Sequence, residues 1–130
     1  MNFEVAVRHL LDGDFSFLEP QFQRGADGQI PVILWHASGQ FAHQPEALAE
    51  AFTCACFLGA DEVIDYLLSA GVHPDGGTAL SCAVWSLFNE PRPQHRKIIE
   101  RLLKAGASPE ALPEKTGDAQ VDELLDRHRA

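Results

Sequence analysis

Residues 63–75 read VIDYLLSAGVHPD, and residues 98–110 read IIERLLKAGASPE, an offset of 35. Ile64 matches Ile99, Leu67-Leu68 matches Leu102-Leu103, Ala70-Gly71 matches Ala105-Gly106, and Pro74 matches Pro109. The remaining changes include two conservative ones, Asp65 to Glu100 and Asp75 to Glu110. A helix-sized phrase repeated at this spacing predicts a stacked array of helical units. Each unit in such an array covers its neighbour's apolar face, and function lives on the extended surface of the stack. The repeat therefore points to a binding protein before it points to an enzyme.

The flanking residues extend the pattern. Thr78-Ala79-Leu80-Ser81-Cys82-Ala83-Val84 precedes the second phrase, and Ala51-Phe52-Thr53-Cys54-Ala55-Cys56-Phe57-Leu58-Gly59 precedes the first. The phrase ending LLxAGxxP resembles the second helix and turn of an ankyrin repeat. Residues 78–84 resemble that family's first-helix phrase, T-P-L-H-x-A-A, without its proline and histidine. Residues 60–71, ADEVIDYLLSAG, are similar to the family's G-H-x-E-V-V-x-L-L-L-x-x-G. The resemblance is strongest over residues 49–110. It implies an all-α fold, an α-solenoid of ankyrin-type helix pairs.

Weaker copies extend both ways. Gly13 and Gly25 each lie 46 residues before Gly59 and Gly71. Residues 6–14, AVRHLLDGD, then belong to a first helix, and residues 15–27, FSFLEPQFQRGAD, to a degenerate second helix. Pro20 is a defect there, because proline removes a helical hydrogen bond. At the far end, Gln120 to Asp126 echoes the second-helix pattern with no first helix before it. One domain over residues 1–130 is expected. It divides into a degenerate repeat plus insert (1–45), two repeats (46–76 and 77–111) and a terminal capping helix (112–130).

Local signals place helices at 3–11, 15–24, 46–58, 62–70, 79–88, 94–104 and 118–127. Phe3, Val7, Leu10 and Leu11 share one side of the first; Phe15, Leu18 and Phe22 share a face of the second. Pro45 opens a helix where its missing N–H is harmless. Asp61, Thr78 and Asp118 are expected N-caps, and Gly71 and Gly106 are stops. Pro93 is expected near a helix start, and Pro113 breaks a connection. The irregular stretches are a long insert over 26–45, a shortened hairpin VHPDGG (72–77) and extra residues WSLFNEPRPQHRK (85–97). Within the long insert, Ile30 to Trp35 forms either an extended finger or a short helix; so short a run has no decisive periodicity.

Composition narrows the function classes. At 130 residues with 45% apolar content, the chain fits one ordinary globular domain. The start, MNFEVAVRHLL, lacks the long apolar run of a secretory signal, and no run is long enough to span a bilayer. Three cysteines do not form a disulfide framework. A cytoplasmic protein is expected. Net charge is −9. Residues 1–65 carry ten acids against Arg8 and Arg24, whereas residues 66–130 carry nine acids against eight bases. Such an acidic half argues against nucleic-acid binding and would draw in a basic partner. Its plainer role is solubility.

Chemistry-bearing motifs are absent from the sequence: there is no phosphate-cradling glycine loop, no GxSxG and no HExxH. His36 and His43 stand seven apart, and Cys54 and Cys56 form a CxC. Helix positions i and i+2 face different ways, and zinc sites favour other spacings. No metal, no cofactor and no enzymatic activity are expected. In ankyrin repeats, the two residues after the small pair of the first helix face the concave groove. That resemblance makes Phe57, Leu58, Trp85 and Ser86 partner-binding candidates, unless the inserts fold over them. Trp35 and His36 on the long insert are a second group, alternatively packed in the core. His73 and Asp75 at the hairpin tip are a third, alternatively chosen for turn chemistry. The expected function is non-enzymatic binding of a protein partner by a monomer or weak homodimer. The alternatives are an inhibitor or immunity-type protein neutralising a basic effector, a self-associating structural protein, or a small enzyme.

Overall fold

The repeated phrase folds the same way twice. A computed structural model describes residues 1–74, 79–89, 94–109, 112 and 115–129, and every regular element among them is helical. In chain order these are α1 (Phe3–Leu11), a 3₁₀ turn (Glu19–Phe22), α2 (Pro31–Ala37), α3 (Pro45–Leu58), α4 (Asp61–Ser69), α5 (Ala79–Asn89), α6 (His95–Lys104) and α7 (Ala119–Arg129). Helices α3 to α7 match the expected spans within two residues. Asp75, Thr78, Pro93 and Pro113 lie outside the described residues, and so do the roles expected of them. No helix among the described residues is long and apolar enough to cross a membrane.

The repeated phrases supply α4 and α6. Ile64, Leu67, Ile99 and Leu102 are all fully buried. Both helices end in the same way. Gly71 and Gly106 adopt left-handed backbone at φ 90° and 104°. Beyond them, the Val72 amide donates to the Leu67 carbonyl at 3.0 Å, and the Ala107 amide to the Leu102 carbonyl at 2.9 Å. These backward bonds satisfy carbonyls that a helix end leaves unpaired. A side chain at either glycine would be strained at that φ. The phrase thus encodes a helix, its apolar stripe and its stop.

The helices pack in two rows. Helix α3 lies between α1 and α5, while α4 lies between α2 and α6. The rows are joined where α3 meets α4 and α5 meets α6; α7 then packs on α6. Helix α3 is covered from several sides, so Ala47, Ala51, Phe52, Thr53, Cys54, Ala55, Cys56 and Leu58 are all buried. Such all-round burial is what an evenly apolar helix requires. Helix α6 has only one covered face, with Ile98, Ile99, Leu102 and Leu103 inward and charges outward. Surface ion pairs cross the second row: Lys97 with Asp61 at 3.3 Å and Arg101 with Asp65 at 2.8 Å.

Two local expectations need correction. Residues 15–24 do not form a helix; only the 3₁₀ turn Glu19–Phe22 is present, with Pro20 in its first turn. Proline removes the N–H that would continue an α-helix through this stretch. Leu18 and Phe22 are still buried. Of the two alternatives for the insert, the short helix is the one observed: Pro31–Ala37 is helical and packs against the 3₁₀ turn and α4. It occupies the second-row place that had been assigned to residues 15–24. The second correction is that Asp61 is the first residue of α4 and not its cap; Ala60 holds the cap position without a side-chain bond. Asp118 does cap α7, accepting from the Val121 amide at 3.0 Å.

Candidate partner-binding groove

Small residues bring α3 and α5 together. Ala51, Cys54 and Ala55 on α3 and Ala79 and Ala83 on α5 are buried. Larger side chains beside this contact are pushed outward. Trp85 is 50% exposed, and Phe88, one turn further along α5, is 48% exposed. Phe57, near the end of α3, is half-buried. Its ring stacks on Trp85 with centroids 5.9 Å apart and planes 24° apart. Phe15 reaches Phe57 from the loop after α1, with centroids 6.0 Å apart. Phe15, Phe57 and Trp85 line a groove of about 530 Å³ together with Cys82, Asp14 and Glu19.

Two acidic residues, Asp14 and Glu19, are among the described lining residues. The Ser16 hydroxyl and amide both donate to Asp14 Oδ1, the amide at 3.3 Å. His9 Nδ1 lies 3.4 Å from the other oxygen. The Ser16 hydroxyl, then its amide, hold the Asp14 carboxyl below the usual range, because they favour the ionised form. Glu19 accepts from Gln23 Nε2 at 3.2 Å. Burial pushes the Cys82 thiol up, and the nearby Glu50 carboxylate pushes it further. Burial does the same to Cys54 and Cys56. All three thiols are free and stay protonated near neutrality.

His95 fixes the end of α3. Its ring is fully buried, and Nε2–H is shared between the carbonyl oxygens of Cys56 and Phe57, each 3.1 Å away. These carbonyls lie in the last turn of α3, where a helix runs out of its own donors. The backbone that carries the Phe57 ring is thereby tied to the start of α6.

The sequence candidates separate into groups. Phe57 and Trp85 come together at the groove. Leu58 lines its edge but is only 7% exposed, and Ser86 is completely buried; Ser86 is therefore not a groove residue. Adjacent helical residues point about 100° apart, so one of each pair turns to the core. The Ser86 hydroxyl and that of Thr53 have no hydrogen-bond partner among the described residues. Trp35 and His36 lie elsewhere, on α2. Trp35 packs edge-on against Phe3 at 5.7 Å, and His36 Nδ1 meets the Tyr66 hydroxyl at 2.9 Å. Both are half-buried and tie α2 to its neighbours. His73 is exposed beyond the end of α4. Phe15, Asp14, Glu19, Cys82 and His95 were not singled out from the sequence. Their meeting depends on distant residues, and no local pattern announces it.

No group of three or more His, Cys, Asp or Glu side chains among the described residues is placed to hold a metal ion. Compared with family models, curated proteins and solved structures, the chain gives no match.

Proposed function

We propose that this chain is a short, irregular helical-repeat array of the ankyrin type that binds a protein partner, without catalysis, in the cytoplasm. The observation that carries the binding reading is the stacked Phe57–Trp85 pair, with Trp85 half-exposed in a groove. Large aromatic side chains left open to water mark interaction surfaces, and tryptophan is enriched among residues that dominate binding energy. Support for an array comes from the two rows and the repeated α4 and α6 ends. Support for its ankyrin type comes from the phrases over residues 49–110. The raised pKa of all three thiols favours a role in packing over one as nucleophile.

The test is affinity capture from the native host with the wild-type chain and Trp85→Ala side by side, followed by measured affinities of the purified retained protein. A partner that binds wild type and loses affinity for Trp85→Ala supports the reading. A partner indifferent to the substitution overturns the groove. Trp85 in the interface of a homodimer would instead make the chain a self-associating protein.

A further inference from the structure

We draw no further inference here: the strongest candidate, the aromatic groove of Phe15, Phe57 and Trp85 between the loop after α1 and helices α3 and α5, belongs to the site already described, and nothing in the structure shows what covers it.

Discussion

The buried imidazole of His95 holds the carbonyl of Phe57, with Nε2 3.1 Å from its oxygen and equally far from that of Cys56. One side chain at the start of α6 thus closes the end of α3 and sets the backbone under the groove ring. His95→Ala would strand both carbonyls away from water, at a cost of about 1–3 kcal/mol. Urea unfolding should show a lower midpoint. The Phe57–Trp85 stack should also loosen, visible in Trp85 emission. An unchanged midpoint would mean that water replaces the imidazole without loss.

The repeated core leucines should behave as a pair. Leu67 and Leu102 are both fully buried at matching places in α4 and α6. Leu67→Ala or Leu102→Ala should each cost about 2–5 kcal/mol. Against a total of roughly 5–15 kcal/mol, either could unfold the chain. Melting should remain one transition, because neighbouring helices support each other through shared contacts. Two separated transitions would contradict this.

How much of this was legible in sequence follows from what each residue type must do. The α4 and α6 phrases were readable because a helix needs the same stripe and the same glycine stop each time. The helix α2 carried that signal too: Val32, Trp35 and Gly39 stand 32 residues before Ile64, Leu67 and Gly71. Gly39 has φ 83° and ends α2 as Gly71 ends α4. The match is harder to see because Trp35 replaces a leucine and Pro31 precedes it. Residues 15–24 misled because Phe15, Leu18 and Phe22 suit a helix, yet Leu18 and Phe22 also bury well from a 3₁₀ turn. At the groove, motif position found Phe57 and Trp85. It missed the turning inward of Ser86, which is small enough to sit where α5 meets the core. It also missed Asp14, Glu19 and His95, whose roles arise only when distant segments meet.

Acid sensitivity should centre on the last helix. Asp118 is held below its ordinary 3.8 first by a hydrogen bond from Arg96, then by the Val121 amide. Asp122 is lowered first by the Thr116 amide and then by its hydroxyl. A carboxylate with a depressed folded-state pKa adds stability above its unfolded value and loses it as pH falls through the folded value. Both contributions should therefore be complete well above pH 3.8 and vanish below it. Acid unfolding monitored by circular dichroism should shift for Asp118→Asn, whose stability above that window should be lower and flatter with pH. A variant with the wild-type acid profile would show that these bonds do not couple to folding.

The second-row ion pairs should matter little. Asp65 and Arg101 are close to half-exposed, and pairs of this kind contribute about 0–1 kcal/mol. Arg101→Ala should leave the melting temperature within a few degrees of wild type. A large loss would indicate that the aliphatic stem of Arg101 packs on α4.

Electrostatic attraction should appear in kinetics. Once a partner is purified, its association should slow as salt rises, because screening shortens the reach of surface charge. Glu46→Lys and Glu50→Lys should lower the on-rate more than they raise the off-rate. An on-rate indifferent to salt would leave the acidity as a matter of solubility.

The central claim is that Trp85 anchors a partner and does not support the core. The direct measurement is Trp85→Ala, read twice: by thermal melting of the variant alone and by the dissociation constant of the purified partner. Because the indole is half-exposed, the melting temperature should stay close to wild type. Binding should weaken by about 2 kcal/mol or more, the loss typical of an anchoring residue. Unchanged affinity would contradict the account, and so would a variant that melts far below wild type.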